Sequence, residues 1–394
     1  MKLGSWAKIL LAATPLMVGC GNFWQAPSSG GGTTTCTSNC PSSGNFYILN
    51  SGTTPEIVGE TISSGTLSTI SGSPWTLDST PYSMAIAPSG NYLYVSMAAG
   101  VYVFPISSGV LSTGVQISTD QAYAIQIDTT GEWLLEAIAE SNGVTLAAIK
   151  LSTSTGENTG ATSSAYFAYK YNASTAGVQQ NQMAISADNK YIFQALGTGG
   201  TLVVPFNSAN PLPSGVTGSA IKVLHSSGAA LSVAVDPSST PALFYIGETL
   251  GNSDGTSGGL RAFDYSTLGG TTLTQATGSP MATGKLAPAY ILPLATPDYV
   301  YVANGSGTLA GFALTSATSG STTTYTLTAG STATIGSTAE GLAADSTGSY
   351  LLSVSSGGSP YFDAFTFDST TTGTLDSAVS SSSQSYSIAI VAAP

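Results

Sequence analysis

The sequence predicts an all-β chain, a seven-bladed propeller of four-stranded antiparallel blades, and three observations carry that expectation. Only 7% of the 394 residues are charged while 42% are hydrophobic, and the polar remainder is mostly Ser, Thr, Gly and Asn. Surface helices usually carry solvated charges in register, whereas Thr, Val, Tyr and Ile fit a pleated, half-buried surface. A strand–turn–strand unit recurs along the chain at the period of propeller blades, about 40 to 60 residues. Within it, the first strand alternates large and small residues rather than apolar and polar ones, as an innermost strand buried on both faces requires.

The chain opens with MKLGSWAKILLAATPLMVGCGN, two lysines followed by an apolar run from Ile9 to Val18. That run is shorter than the ~20 residues of a spanning helix and reads as an export signal over residues 1–19. MVGC (17–20) resembles the lipobox of bacterial lipoproteins. The resemblance implies that Cys20 becomes the lipidated first residue, holding the protein to the membrane, and that Gly21 directs it to the outer membrane of a Gram-negative cell. Residues 20–43 are Gly, Ser, Thr and Pro with little to bury, a flexible tether. Cys36 and Cys40 lie within it, and in an oxidising compartment they are expected to form a small local disulfide.

From residue 44 to 394 the repeat takes over. Its clearest copy is PYSMAIAPSGNYLYVSM (81–97); others are AYAIQIDTTGEWLLEAI (122–138), NQMAISADNKYIFQAL (181–196), LSVAVDPSSTPALFYIGE (231–248), AYILPLATPDYVYVANG (289–305) and EGLAADSTGSYLLSVSSG (340–357). Aligned on their turns, the copies place aromatics at Tyr92, Trp133, Tyr191, Tyr299 and Tyr350, with Ala242-Leu243 in the fourth. Two further strand signals separate consecutive copies, as in GVYVFPISSGVLSTGVQI (100–117). The carboxyl end, SYSIAIVAAP (385–394), supplies only a first strand, while GNFYILNSG (44–52) supplies an orphan second one containing Phe46. Pairing the two would close the ring and remove its exposed edges.

GTLSTISGSPWTLDSTPYSMAIAPSGNYLYV (65–95) resembles the lactonase-like, YVTN-type seven-bladed propellers, whose blades carry a G-x-L…GSP…P…A-x-x-P-x-G-x-x-LYV pattern. The likeness recurs in TLTQATGSP (272–280) and YVYVANG (299–305). It implies the propeller fold and, as one activity of the family, lactone hydrolysis. Propellers carry unrelated activities on one scaffold, so function must be read from the site.

In such blades the B–C loops and D–A connections share one face, around the mouth of the central channel. That face should present Tyr82, Tyr123 and Tyr386 at one position of strand A, with Asn181 and Glu340 in the same register, and Lys285 nearby. Tyrosines and amides bind sugars or peptides by stacking and hydrogen bonding. His225, the single histidine, Glu248 and Arg261, the single arginine, fall on the same face around blades 3 to 5. A His/Glu/Arg group could serve a lactone hydrolase, with Glu248 or His225 as base toward water and Arg261 steadying an oxyanion.

Other classes are excluded by composition or by missing motifs. The formal charge of −12 makes nucleic acid an unsuitable partner. Cationic side chains are too few for a phosphorylated sugar substrate. ETLGNSDGTSGG (248–259) lacks the acidic ligands and terminal Glu of a calcium loop, and no metal or cofactor site is expected. The expectation is a monomeric, lipid-anchored envelope propeller that binds a glycan, a peptide or an envelope protein without catalysis; the alternative is a hydrolase for a neutral lactone.

Overall fold

The computed structural model describes residues 44–171, 183–238, 240–268, 273–294, 298–320, 322–383 and 386–394. Seven antiparallel sheets stand as blades around a central channel. Their innermost strands, A, are Pro81–Ile86, Ala122–Ile127, Met183–Ile185, Ala230–Val235, Pro288–Leu294, Ser337–Ala344 and Ser387–Ala392, which define blades 1 to 7. The B strands are Tyr92–Met97, Trp133–Glu140, Tyr191–Ala195, Leu243–Glu248, Tyr299–Asn304, Tyr350–Gly357 and, from the start of the domain, Gly44–Asn50. The C strands are Gly100–Ser107, Gly143–Leu151, Thr201–Pro205, Gly259–Asp264, Thr308–Ser319, Phe362–Phe367 and Glu56–Ser63.

The ring closes as the sequence predicts: Ser387–Ala392 pairs antiparallel with Gly44–Asn50, Ile390 opposite Ile48. One detail of that copy differs. The amide that closes the A–B turn bonds the carbonyl of Tyr92, Trp133, Tyr191 and Tyr350 in blades 1, 2, 3 and 6, but that of Asn45 in blade 7. The aromatic Phe46 therefore sits one residue beyond the expected register.

In blades 2, 3 and 6 the A–B turn is held by the side chain of its first residue. Asp128 Oδ1 accepts the amides of Glu132 and Trp133 at 2.8 and 2.9 Å, Asp345 Oδ1 that of Tyr350 at 2.6 Å, and Ser186 Oγ those of Lys190 and Tyr191. Short polar side chains favour such local bonds, which is why the turns read Asp or Ser followed by small polar residues.

In five of the seven blades an aromatic of strand B ties the blade to the next. Tyr94 Oη donates to the Gly156 carbonyl at 2.9 Å, Trp133 Nε1 to Ser208 at 2.7 Å, Tyr191 to Leu268 at 3.2 Å, Tyr301 to Gly373 at 3.1 Å and Tyr47 to Gly109 at 2.8 Å. Each acceptor is a carbonyl of the following blade's C–D segment, so one aromatic both fills the seam and satisfies a turn. Gly156, Gly109 and Gly373 have positive φ, and the ring approaches so closely that a Cβ at Gly373 would lie 1.8 Å from Tyr299.

The GSP motifs have a similarly local cause. In blades 4 and 7 the outer strand is split, as Thr274–Gln275 with Met281–Ala282 and Thr66–Thr69 with Trp75–Thr76. Between the halves one amide of strand C loses its ladder partner, and the motif serine replaces it: Ser73 Oγ accepts from Gly59 N and Ser279 Oγ from Ala262 N, both at 2.9 Å.

The large residues of strand A line the channel, Met84, Ile86, Met183, Ile185, Val233, Val235, Ile291, Leu342 and Ile390 among them, with Ala85, Ala184, Ala234 and Ala343 as the small ones. The channel holds about 340 Å³; large strand A side chains such as Met84, Val233, Leu342 and Ile390 are buried between blades, so its wall is largely the polar backbone edge of the innermost strands and includes no charged side chain. Side-chain chemistry must therefore be sought at its mouth or in the seams between blades.

Candidate functional site

The B–C loops and D–A connections do share one face, and strand A enters it through a bulge. The bulge leaves one residue without a ladder partner in six blades: Tyr82, Tyr123, Leu231, Ala289, Glu340 and Ile388. A bulge re-aims the side chain it carries. Tyr82, Tyr123 and Glu340 are thus equivalent, as the sequence alignment expects. Tyr386 lies two residues before this register, in a left-handed conformation and 60% exposed. Asn181 lies outside the described residues.

Tyr82 and Tyr123, on adjacent blades, bring their half-buried rings to 5.0 Å between centroids at a 40° tilt. Gln121, in the connection between the two blades, donates its amide to Tyr82 Oη at 2.5 Å and fixes that ring. Glu340 is almost fully buried; burial pushes its carboxyl up to about 7, against the opposing 2.8 Å hydrogen bond from Ser356 Oγ.

The second group gathers where blades 3 and 4 meet. Glu248 ends strand B and Arg261 lies on the adjoining strand C, so the ladder sets them side by side, and Arg261 Nη1 meets Glu248 Oε1 at 2.6 Å. The same nitrogen donates to the Lys222 carbonyl at 3.1 Å, and Glu248 Oε2 accepts the Leu224 amide at 2.8 Å. The guanidinium also lies 4.8 Å over the Phe263 ring. Glu248 is 1% and Arg261 8% exposed.

Both oxygens of Glu248 are therefore engaged away from solvent, and the pair fastens blade 4 to the end of blade 3. His225 is brought close in the fold but not into the pair: its Nε2 bonds the Asn252 carbonyl at 2.9 Å. The 248–259 segment, which reads as a plain Gly/Ser loop, is braced through Asn252, whose Oδ1 accepts from Thr256 N and Ser257 N and whose amide donates to Asp254. Lys285 is exposed, and its carbonyl accepts the Gly258 amide at 2.7 Å. No group of three or more His, Cys, Asp or Glu side chains able to hold a metal occurs among the described residues.

One buried acid escapes a reading focused on the mouth. Glu136, in strand B of blade 2, is 0% exposed, and its Oε1 has no hydrogen-bond partner among the described residues. Burial pushes its carboxyl up to about 8, a weak 3.4 Å bond from Ser118 works against that, and the Asp120 charge adds to the rise. The signal was present in the aligned copies. The fourth position of strand B is Val95, Ile246, Val302 and Ile48 in blades 1, 4, 5 and 7, Gln194 and Ser353 in blades 3 and 6, and Glu136, the one ionisable residue among them, in blade 2.

No protein-family model matches the chain, and no curated protein matches it. Solved structures do. The periplasmic gluconolactonase PpgL of Pseudomonas aeruginosa is 15% identical, with a TM-score of 0.64 over 90% of this chain and 99% of that one. A putative 6-phosphogluconolactonase from Bacteroides uniformis is 16% identical, with a TM-score of 0.62 over 89% and 99%. A functionally unknown protein from Desulfotomaculum acetoxidans is 12% identical, with a TM-score of 0.63 over 89% and 98%. The likeness spans nearly the whole of each partner and, at these identities, is one of fold: this chain has the seven-bladed architecture of lactonase-like propellers.

Proposed function

We propose that the protein is an exported, lipid-anchored propeller of the cell envelope that binds a glycan on its mouth face without turning it over. The observation that carries this reading is the Tyr82–Tyr123 pair, two rings on neighbouring blades with one phenol fixed by Gln121. Amphipathic rings with polar tips are suited to the apolar faces and hydroxyls of a sugar. The engagement of both Glu248 oxygens supports a binding rather than a hydrolytic role for this face. Export and anchoring rest on the amino-terminal sequence, and a periplasmic protein among the similar folds accords with them.

A second reading, hydrolysis of a neutral lactone, draws on the names of two similar structures and on Glu340, whose raised carboxyl could serve as an acid–base group. One set of measurements separates them. Titration with neutral cell-wall and capsular oligosaccharides should show binding that Tyr82→Ala and Tyr123→Ala each weaken at least tenfold, and a panel of sugar and aryl lactones should remain unopened. Lactone opening lost in Glu340→Gln or Glu248→Gln would overturn the first reading in favour of the second.

A further inference from the structure

The seam between blades 1 and 2 opens into a groove of about 620 Å³, within the size range of small-molecule sites. Glu136 forms part of its wall. Around it stand Ser118 and Asp120 from the blade 1 side and Asn158, Thr162 and Ser163 from the outer strand of blade 2, Asn158–Phe167. Glu136 is opposite Ala147 in the ladder, and Ile149, two residues on, shares that face and the groove. Lys150 lies on the other face of the sheet, 5.6 Å from the Trp133 ring. Asp120 is the other ionisable side chain of the groove, which holds no Lys, Arg or His.

Two atoms in this wall are buried with their bonding capacity unused, Glu136 Oε1 and Ser163 Oγ. The matching position also leaves neutral polar atoms unpartnered at Gln194 and Ser353, but an unpaired carboxyl is costlier than either, and an aliphatic would fill the space, as Val95, Val302 and Ile246 do. Two carboxyls without a cation lack a positive partner, and the lining hydroxyls and amides would receive a polyhydroxylated body better than an apolar or aromatic one. The volume is far larger than a bare metal ion needs. We infer that this groove is a binding site for an amino sugar, its primary ammonium bonded to Glu136 with Asp120 beside it, and its hydroxyls meeting Ser118, Asn158, Thr162 and Ser163. It is separate from the tyrosine pair and does not depend on the reading given to it.

Binding has a proton signature. Below pH 7 Glu136 holds its proton and the ligand is an ammonium ion; forming the ion pair displaces the carboxyl proton to solvent, so about one proton leaves per ligand bound. The test is calorimetric titration of the mature protein at pH 6 with the β-1,4-linked glucosamine dimer, in two buffers of different ionisation enthalpy. Cellobiose and calcium chloride serve as neutral and metallic probes. The expected result is binding of the amino sugar with proton release close to one, and at least tenfold weaker binding in both Glu136→Gln and the exposed Asp120→Asn, with Lys150→Gln, on the other face of the sheet, without effect. Equal binding of cellobiose that Glu136→Gln also weakens, binding of calcium in its place, no proton release, or no binding of the amino sugar at all would each overturn the assignment.

Discussion

Arg261→Met separates a fastening role for the Glu248–Arg261 pair from a chemical one. The substitution keeps an unbranched side chain of similar length against Phe263 and removes the guanidinium. Glu248 Oε1 loses its 2.6 Å partner and the Lys222 carbonyl its donor, while Oε2 keeps the Leu224 amide. The carboxylate is then left 1% exposed without a counter-ion. Removing one member of a buried pair costs about 3–5 kcal/mol, chiefly from the stranded charge. With an unfolding entropy of about 2.1 cal/mol/K per residue over roughly 350 residues, each kcal/mol moves the melting temperature by about 1.4 °C, so the expected loss is about 4–7 °C. Glu248→Gln combined with Arg261→Met removes the charge as well and should recover most of it, a coupling that a double-mutant cycle reads directly. The assay is thermal unfolding of the four proteins. If Arg261→Met melts within a degree of the parent, the pair is not the buried fastening described here; if the double variant is no better than the single, the stranded charge is not the cause.

Three further outcomes are expected. Glu136 and Glu340 are pushed up to about 8 and about 7 in the folded protein from near 4.5, so their favourable protonated state is fully available below pH 4.5 and is lost as pH rises through those values. Stability should therefore fall between about pH 5 and 8, by at most about 1.4 kcal/mol per carboxyl for each pH unit crossed, and Glu136→Gln should flatten the profile measured by denaturant titration. Deleting 387–392 uncovers the Phe46–Leu49 edge and should convert the protein into aggregate on size exclusion; a folded truncation that elutes as the parent does would refute the closure. Tyr94→Phe leaves the Gly156 carbonyl without its phenol donor and should cost about 0.5–1.5 kcal/mol by the same denaturant measurement, a neutral result showing that the seam aromatics act through packing alone.

Much of the architecture was legible because a propeller repeats one local instruction. Turn residues, the large–small first strand and the strand B aromatic recur in most copies, and register follows wherever one face is buried. The equivalence of Tyr82, Tyr123 and Glu340 was readable for the same reason. Tyr386 was misplaced by two residues because side chains in a strand alternate with period two, so a slip of two leaves the large–small pattern that the alignment follows unchanged. The Glu248–Arg261 contact was half visible. The shared face could be deduced, but which acceptors each group meets depends on how blade 3 ends against blade 4, a long-range matter of seam geometry.

The composition that marks the chain as a β-protein also governs its buried acids. There are 20 acidic residues and a single arginine, and that arginine is committed to Glu248, the only salt bridge in the described residues with both partners buried. Other carboxyls in the blade seams must make do with hydroxyls: Glu136 with Ser118, Asp363 with Ser380 at 2.6 Å, Glu60 with Thr69 at 3.2 Å. A hydroxyl lends a hydrogen bond but no charge, so burial prevails and each of the three carboxyls is raised above its ordinary range. The differences among them then single out one seam. Asp363 also has one unpartnered oxygen, but its other accepts a 2.6 Å bond, and Glu60 has an ordinary one at 3.2 Å, whereas Glu136 has only a 3.4 Å contact and Asp120 beside it. A cation arriving in that groove would meet the least satisfied carboxyl of the three, which is why the seam between blades 1 and 2, rather than the channel, whose lining includes no charged side chain, is where charged ligand chemistry belongs in this fold.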